Sequence, residues 1–370
     1  MLFCTLDYPP SAAGGAEKQA RLQAEALARR GHVVHVVCPR KPGQRSATIN
    51  GVKVHRLPIV SVRSLRAASY LPILFAFLIL RLRTYDLVHV HLANLHADVA
   101  VGAAALLGRP SYLKLAAGGR LGEIGRLRVA ALATRYYGIR HATLIQAISA
   151  EIASDVIRIG VPPDRVRLIP NGVVAPPLLT PAGRVNARRR LGLPSDRLVV
   201  LFAGRLERDK GVDDLISVWR TDKPQNSVLL LLGSKGIKNP VSMRSLPGGA
   251  QHRSWSPEIA SYLGASDIFV LPSYVEGMSN ALLEAMAAGV AAVASRVGAA
   301  PEMIQDAENG VLVDPGDRPS LSAALKTLAG DAALRTRLGN AARDSVCDRF
   351  DIEAVVTRIE EAYRSIVHPK

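Results

Sequence analysis

The sequence predicts an α/β protein with two doubly wound domains, each built on a mainly parallel sheet. Short apolar runs alternate with longer segments of helical periodicity along the whole chain. The short runs are nearly continuous in Val, Leu and Ile, which is typical of strands that helices cover on both faces. The length of 370 residues exceeds the size at which a single core usually stops growing, so two cores are expected.

The first half of the chain opens with a strand and a helix. The run LFCTL is followed by GGAEKQARLQAEALARRGH, where Ala20, Ala24 and Leu27 repeat at helical spacing. Gly31 is then placed to end this helix, and VVHVV resumes extended structure. Alanine-rich segments long enough for helices separate three further predicted strands, at 86–91, 111–116 and 143–149.

The second half repeats the alternation more clearly. Its predicted strands are LVVLFAG, SVLLLLG, DIFVLPS and VAAVAS. Its predicted helices are GVDDLISVWR, PEIASYLGA and NALLEAMAAG. In open sheets of this kind ligands bind beyond the carboxyl ends of the strands, so we expect the site in a cleft between the two domains.

Prolines and glycines mark the domain boundary. The segment IPNGVVAPPLLTPAG contains four prolines and two glycines, as interdomain linkers often do. We therefore predict a first domain at 1–172, a linker at 173–183 and a second domain at 184–348. A final helix within 349–370 follows the second sheet, and we expect it to cross back to the first domain.

Composition favours a globular protein of a reducing compartment. Hydrophobic residues make up 48% and charged residues 21%, without any low-complexity tract. Cys4, Cys38 and Cys347 are odd in number and lack metal-ligand spacing, which argues against a disulfide framework or a zinc site. MLFCTLDYPP reaches two prolines too early for a secretory signal. We expect a cytoplasmic protein.

The positive charge is concentrated in one half of the chain. Residues 1–175 hold 23 Lys and Arg against 9 Asp and Glu, a net charge of +14, whereas residues 176–370 hold 24 against 22, a net charge of +2. This asymmetry indicates an anionic partner for the first half, such as a membrane surface, a phosphorylated substrate or nucleic acid. A basic surface without a specific partner is the alternative.

One segment of the second half places two carboxylates around a helix start. After the strand DIFVLPS, Ser279 or Asn280 is a suitable N-cap for the helix ALLEAMAA. The free N–H groups of this helix start form a site for an anion such as phosphate. Gly277 lets a ligand approach the backbone, Glu276 lies beside the anion site, and Glu284 can accept a hydrogen bond from a ribose diol. The alternative is that both glutamates are solvated charges at a helix start.

Two cations follow the first strand of the second half. Arg205 and Lys210 in FAGRLERDKGVDDLI can neutralise a diphosphate, the first through its planar guanidinium and the second as a point charge. Such groups stabilise the negative charge that develops on a leaving nucleoside diphosphate. The alternative is a surface loop of salt bridges with Glu207 and Asp209.

Several of these segments together resemble a known family. YPPSAAGGAEKQ, DLVHVH, PNGV, FAGRLERDKG, YLGASDIFVLPSYVEGMSNALLEAMAAGV and VGAAPEMIQDAENGVLVDPGD resemble, in order and spacing, the family 4 glycosyltransferases of the GT-B fold. The resemblance covers almost the whole chain. It implies two facing Rossmann-like domains and a retaining transfer of sugar from a nucleotide-diphosphate sugar, without a metal or another cofactor.

The resemblance also implies roles for the residues of the second half. Glu276 matches a glutamate that faces the donor sugar, and Glu284 matches one that binds the ribose. Arg205 and Lys210 match a pair that binds the diphosphate, and with Glu276 they are the predicted catalytic residues. Backbone contacts to the sugar and phosphate fall on Gly277, Met278, Ser279 and Asn280.

On the acceptor side the assignments come from the first half. Gly14 and Gly15 match a glycine loop that closes over donor and acceptor. Many family members carry a histidine after the strand that corresponds to SYLKLA, but this chain reads AAGGR there, so we expect Arg120 or a backbone carbonyl to replace it. His89 and His91 alternate in VHVHLANLH, and we expect them on opposite sheet faces, with His91 either hydrogen-bonded within the protein or in contact with the acceptor.

The apolar run YLPILFAFLIL bears on the acceptor. Its eleven residues, 70–80, are too few for a membrane-spanning helix, which needs roughly 20. It is therefore either a buried helix or a wedge at a membrane interface. The arginines that flank it favour an anionic membrane surface and a lipid-linked or cell-envelope glycan as acceptor; these are Arg63, Arg66, Arg81 and Arg83.

Two alternatives stay open from the sequence. Another GT-B activity, such as a sugar-nucleotide epimerase or a phosphorylase-like enzyme, would use the same fold. A nucleic-acid-binding protein would fit the pI of about 10.2. We expect no nucleic-acid partner, because aromatic residues make up only 5% and no helix-turn-helix or zinc spacing is present.

Overall fold

The computed structural model divides into two compact units, Met1–Gly172 with Ile352–Lys370, and Val173–Asp351. Each unit contains one sheet, and parallel pairing dominates both, which confirms the predicted α/β class. The residues that the structure describes are 1–10, 14–60, 62, 65–118, 122–125, 137–234, 236, 239–243 and 245–367.

The strands and helices alternate along the chain as the apolar periodicity predicted. The strands are β1 Leu2–Cys4, β2 His35–Pro39, β3 Ala47–Ile49, β4 Val52–Leu57, β5 Val88–His91, β6 Ser111–Leu115, β7 Leu144–Ala147, β8 Val166–Leu168, β9 Leu198–Ala203, β10 Ser227–Leu232, β11 Ala250–Arg253, β12 Ile268–Leu271, β13 Ala291–Ser295 and β14 Val311–Val313. The helices are α1 Gly15–Arg29, α2 Arg66–Arg81, α3 Leu95–Leu106, α4 Tyr137–His141, α5 Ala150–Arg158, α6 Pro181–Arg190, α7 Val212–Asp222, α8 Ile259–Ala265, α9 Asn280–Ala287, α10 Ala300–Met303, α11 Arg318–Gly330, α12 Ala332–Arg349 and α13 Ile352–Val367.

The first unit has an eight-stranded sheet in the order β3-β4-β2-β1-β5-β6-β7-β8, and only β3 pairs antiparallel. Its core joins the beginning and the end of the chain, because α13 packs against α1 and the central strands. Ile352, Val355 and Ile359 of α13 share one buried cluster with Phe3 and Leu27. The last helix therefore belongs to the first unit.

The second unit has a six-stranded sheet in the order β11-β10-β9-β12-β13-β14, with parallel pairs throughout. Its chain begins at Val173 in extended backbone, and α6 begins at Pro181, within the segment assigned to the linker. Thr180 caps α6 by accepting a hydrogen bond from the N–H of Gly183.

A hairpin in the first unit was missed by the sequence analysis. Strands β3 and β4 are joined by Asn50 and Gly51, whose φ angles are +47° and +81°. An Asn-Gly pair between short strands is a strong hairpin signal, since both residues tolerate positive φ. The charged and polar residues of these strands hid the alternation, so no strand was predicted there.

The apolar run 70–80 forms most of α2, and its two faces differ. Tyr70, Leu74 and Leu78 are buried at helical spacing, whereas Phe75 is 41% and Leu80 is 80% exposed. The run is thus a helix with one buried stripe and one apolar exposed face. Among the described residues, no helix combines the length and the apolarity that crossing a membrane requires.

Candidate functional site

The loops after two neighbouring strands of the second unit are held tightly together. The loop after β9 contains a short 3₁₀ turn, Arg208–Lys210, followed by Gly211 with a φ of +66°. A Cβ atom at Gly211 would collide with the carbonyl oxygen of Pro272, just beyond β12. The N–H of Tyr274 also donates to the carbonyl of Asp209, with an N···O distance of 2.9 Å. Because β9 and β12 are adjacent, the two loops meet beyond the carboxyl ends of both strands.

Lys210 and Glu276 form a largely buried ion pair where these loops meet. Lys210 Nζ lies 2.9 Å from Glu276 Oε1, and the two side chains are 14% and 13% exposed. Lys210 Nζ also donates to the carbonyl oxygen of Val275 at 3.0 Å, and Ser273 Oγ donates to Glu276 Oε1 at 2.8 Å. Two donors therefore fix the Glu276 carboxylate, which orients it for recognition of a bound group.

The helix start next to this pair has the predicted geometry. Ser279 is the N-cap of α9, and its Oγ accepts a hydrogen bond from the N–H of Leu282 at 3.3 Å. Asn280 and Glu284 are four residues apart on this helix, so they lie on the same face, and both are partly exposed. Met278 is buried, 6% exposed, and anchors the loop in the core.

A further turn, after β13, supports the same loop and was not singled out from the sequence. The N–H of Ala299 donates to the carbonyl of Gly277 at 2.7 Å. Gly298 has a φ of +53°, and a Cβ atom there would collide with the carbonyl oxygens of Glu276 and Gly277. The glycine is therefore required by this close approach, and VGAAPEM carried that signal in the sequence.

Arg205 pairs with a different carboxylate. Its Nη1 is 3.3 Å from Glu207 Oε2, and its side chain is 58% exposed while that of Glu207 is buried. The alternative of a salt bridge with Glu207 thus describes Arg205 in this structure. Lys210, by contrast, pairs with Glu276.

In the first unit, α1 begins with the predicted glycines. Gly14 is the N-cap of α1 and Gly15 its first residue, with Gly14 in extended backbone at a φ of −84°. The carboxylate of Glu17 lies against Gly14, where it would collide with a Cβ atom. Burial raises the pKa of Glu17, and the neighbouring Asp7 raises it further. Gly14 has no positive φ, and the atoms close to it end a flexible side chain, so a larger residue there would only require Glu17 to move.

The expectation that His89 and His91 lie on opposite faces of the sheet was wrong. Residues two apart on a strand point to the same face, and the two imidazole rings stack with centroids 4.4 Å apart. His91 is 1% exposed, so it is enclosed in the first unit. Burial lowers its pKa well below the usual value, and the charges of His89 and Lys114 lower it further.

Lys114 shares this buried polar layer and was not predicted as notable. It pairs in register with His91 across β5 and β6 and is 1% exposed. Among the described residues, Lys114 Nζ and His91 Nε2 find no hydrogen-bond partner. Burial lowers the pKa of Lys114 to about 7, since the charged form is poorly solvated there.

The remaining acceptor-side assignment, Arg120, lies outside the described residues. The described part of the same region contains a carboxylate that the sequence analysis did not single out, Glu123. It is 8% exposed and accepts hydrogen bonds from backbone N–H groups after β5 and β6. Within the described ranges, His, Cys, Asp and Glu form no group of three or more that could hold a metal ion.

Family models match both units of the chain. Residues 14–172 match the model described as "Glycosyl transferase 4-like domain". Residues 184–345 match the model described as "Glycosyl transferases group 1". The two matches together span most of the chain.

Individual relatives match over nearly the whole length. D-inositol 3-phosphate glycosyltransferase of Arthrobacter sp. (strain FB24) is 30% identical, over 89% of this chain and 85% of its own. N-acetyl-alpha-D-glucosaminyl L-malate synthase of Bacillus anthracis is 24% identical, over 97% and 96%. The crystal structure of Anabaena HepE in complex with UDP-glucose superposes with a TM-score of 0.80 at 21% identity, over 98% of this chain and 99% of that one.

The two sheets, the two matched domains and the solved neighbour together define a glycosyltransferase of the GT-B fold. Within that class, the chain belongs to the family 4 glycosyltransferases.

Proposed function

We propose that this glycosyltransferase moves a sugar from a nucleotide-diphosphate sugar to an acceptor hydroxyl, with retention of configuration at the transferred carbon. The observation that carries the proposal is the Lys210–Glu276 pair, whose N···O distance is 2.9 Å, beside the capped start of α9. A cation, an oriented carboxylate and a helix N-terminus suit a ligand that contains both a sugar and a diphosphate.

The donor is divided among three groups of contacts in this proposal. Glu276 accepts hydrogen bonds from the sugar hydroxyls, and Glu284 does so from the ribose. Gly277, Met278, Ser279 and Asn280 present backbone groups to the sugar and phosphates, together with Gly15 of the first unit. Arg205 and Lys210 neutralise the diphosphate.

Solved structures of the same fold contain bound nucleotides, which supports this class of donor. HepE of Anabaena has been crystallised with UDP, with UDP-glucose, and with UDP and glucose. The catalytic domain of starch synthase IV from Arabidopsis thaliana is bound to ADP and acarbose. These proteins share the fold and are bound to nucleotides with different bases, and the titration described below identifies the base for this chain.

Catalysis in this proposal is electrostatic. As the bond between sugar and phosphate breaks, negative charge grows on the diphosphate, where Arg205 and Lys210 stabilise it. Glu276 is already fixed by two donors, so it holds the sugar rather than attacking it. The acceptor hydroxyl then attacks from the face that the diphosphate leaves, which retains the configuration, and its proton passes to the departing diphosphate oxygen. No metal or cofactor enters this scheme.

For the acceptor we propose a lipid-linked or cell-envelope glycan at an anionic membrane surface, reached from the cytoplasmic face. The net charge of +14 in residues 1–175 favours an anionic surface. The exposed face of α2 adds apolar contact, with Leu80 80% exposed near Arg81 and Arg83. We place Gly14 on this acceptor side. His91 is 1% exposed, so a direct contact with the acceptor is not part of the proposal.

Calorimetric titration with UDP, GDP, ADP and their glucose derivatives tests the donor assignment. We expect one nucleotide to bind the wild-type protein and its affinity to fall in Lys210→Met. Transfer is then assayed with the corresponding nucleotide-sugar and vesicles that carry a polyprenyl-pyrophosphate-linked sugar. Absence of binding to every nucleotide would contradict the proposal, and release of nucleoside diphosphate without transfer would favour a hydrolase or an epimerase.

A further inference from the structure

The Glu123 carboxylate joins two loops of the first unit. Its Oε1 accepts a hydrogen bond from the N–H of Ala93, with an N···O distance of 2.6 Å. Its Oε2 accepts from the N–H groups of Ala116 and Ala117, at 2.6 and 3.1 Å. Ala93 follows β5 and Ala116 follows β6, so a single side chain holds the carboxyl ends of two adjacent strands.

One of these loops contains a strained residue. Leu92 has a φ of +72°, a left-handed conformation that is unfavourable for a bulky side chain. Such residues persist where surrounding contacts hold them, and they concentrate at functional sites. The N–H of Leu92 donates to the carbonyl of Lys114 at 3.0 Å, and the next N–H, that of Ala93, donates to Glu123. Leu92 is therefore fixed between β6 and the carboxylate.

The chain is shaped to bring Glu123 to this position. A Cβ atom at Gly122 would collide with the carbonyl oxygens of Ala117 and Gly118, so glycine permits the close approach. The N–H of Glu123 in turn donates to the carbonyl of Ala117 at 3.1 Å. With 8% exposure, the carboxylate is nearly removed from water, where charge-assisted hydrogen bonds are strongest.

We infer that Glu123 is a positioning residue for glycosyl transfer, holding the 92–94 and 116–118 loops in the arrangement that receives the acceptor. The inference rests on the proposed function for the acceptor's place, because ligands of open α/β sheets bind beyond the carboxyl ends of the strands. Glu123 acts through backbone: it fixes which N–H and C=O groups the two loops present to an acceptor hydroxyl.

Because Glu123 accepts three hydrogen bonds, the effect of Glu123→Gln distinguishes a positioning role from simple filling of space. Glu123→Gln preserves the volume of the side chain but replaces one acceptor oxygen with an NH₂ group, which must then face a backbone N–H. A residue that only fills space would tolerate this change. A residue that must accept on both oxygens would not, and Glu123→Ala, which lets water reach the N–H groups, would be no worse than Glu123→Gln.

Hydrogen exchange of the 370-residue chain, followed by mass spectrometry, tests without any substrate whether Glu123 holds the two loops. For Glu123→Gln we expect exchange about tenfold faster in peptides covering 92–97 and 114–118, because charged hydrogen bonds are lost at both loops. The control Glu361→Gln removes an exposed carboxylate from α13 of the same unit and should leave both peptides unchanged. Unchanged exchange in Glu123→Gln would overturn the inference.

Kinetics then separate positioning from general stability. With the nucleotide-sugar and acceptor vesicles described above, Glu123→Gln should raise the KM for acceptor or lower kcat by about tenfold or more. Nucleotide affinity, measured by calorimetry, should stay at the wild-type value, since all the proposed donor contacts except Gly15 lie in the other unit. Equal transfer by Glu123→Gln and wild type, or an equal loss of nucleotide affinity, would overturn the inference. Failure of the wild type to bind any nucleotide would instead contradict the proposed function. The exchange result would still show whether Glu123 holds the two loops.

Discussion

At the scale of single residues, the proposed function of the second unit rests on the Lys210–Glu276 pair. Each side chain is about seven-eighths enclosed, so the pair is better protected from screening than a surface salt bridge. Lys210 also donates to the carbonyl of Val275, and Ser273 Oγ donates to the same carboxylate oxygen that Lys210 contacts. The carboxylate is therefore oriented before any ligand binds, which is the condition for efficient recognition.

We expect Glu276→Ala to reduce transfer roughly a hundredfold or more, because an oriented group at the reacting sugar is lost. Nucleotide affinity should change much less, since the diphosphate contacts remain. Transfer rate, nucleotide titration and thermal unfolding measured on the same preparation check this. Wild-type turnover in the variant would contradict the assignment, and complete unfolding would show a structural role instead.

Arg205→Ala should weaken nucleotide binding about tenfold while leaving the folded protein intact. Arg205 is 58% exposed, so its ion pair with Glu207 contributes little to stability, but its guanidinium is free to turn toward a diphosphate. Calorimetric titration measures the change. Arg208→Ala is the matched control, since Arg208 is also exposed in the same loop and pairs with Asp213. Equal effects of the two substitutions would contradict a specific role for Arg205.

Lys114→Met should stabilise the first unit at neutral pH by roughly 2 kcal/mol or more, because the buried ammonium is poorly solvated. Burial lowers the pKa of Lys114 to about 7 from 10.5, so between those values the unfolded chain binds more protons and stability rises with pH. The gain in the variant should thus be full below pH 7 and fade toward pH 10.5. Unfolding measured at pH 6, 8 and 10 checks this, and a gain independent of pH would contradict it.

At the scale of elements, α2 differs from what its composition indicated. The run 70–80 is apolar on every side in the sequence, yet the structure buries only a stripe along it and leaves Phe75 and Leu80 in contact with solvent. Arg81 ends the helix and lies 6.0 Å from the ring of Phe77. An exposed apolar face that ends in a cation suits the boundary between lipid headgroups and acyl chains.

The double substitution Phe75→Ser and Leu80→Ser should weaken binding to anionic vesicles about tenfold, because apolar contact with the bilayer is lost. Co-flotation with vesicles at low and high salt measures this, and salt should weaken the wild-type binding as well. Leu106→Ser on α3 is the control, since Leu106 is 71% exposed on another helix. Vesicle binding that does not change with salt, or an equal loss of binding in the control, would contradict the proposed membrane contact.

Element type was largely predictable from the sequence, and contacts were not. Near-continuous apolar runs predicted the central strands of both sheets. Gly31 follows the end of α1 with a φ of +90°, as its position in the sequence predicted. Peripheral strands such as β3 and β11 were missed because a short strand at a sheet edge needs little apolar sequence. The Asn50–Gly51 turn carried a usable signal that was overlooked.

For the candidate site, too, the sequence predicted local positions but not the contacts between them. The position of Ser279 at a helix start follows from local sequence, and so does the placing of Lys210 in a loop after a strand. Their partners do not: that Lys210 would bind Glu276, 66 residues away, depends on which strands are neighbours in the sheet. No local sequence pattern marks Glu123, because the hydrogen bonds that it accepts come from two loops that are distant in sequence.

At the scale of the whole molecule, the chain leaves the first unit after Gly172 and returns to it at Ile352. The returning helix, α13, contributes Val355, Val356 and Ile359, all fully buried, to the core of the first unit. The OH of Tyr363 also makes a hydrogen bond to His89 Nδ1 at 2.6 Å. The second unit is continuous in sequence and the first is not.

Removing residues 352–370 should therefore unfold the first unit and spare the second. Full burial of each large apolar side chain contributes about 1.5–3 kcal/mol, and several of them together match the whole stability of an ordinary domain. Limited proteolysis, read by mass spectrometry, should show cleavage throughout 1–172 and protection of 173–351. Protection of the first unit in the truncated chain would contradict this.

The same split of the first unit dictates an order of events on the ribosome. Everything the second unit needs has been synthesised before α13 leaves the exit tunnel, so the later-encoded unit can reach its native state first. Residues 1–172 lack the helix that completes their core until α13 has been translated. During that interval the apolar side chains that α13 covers are exposed to chaperones, and a chain terminated before α13 would keep them exposed.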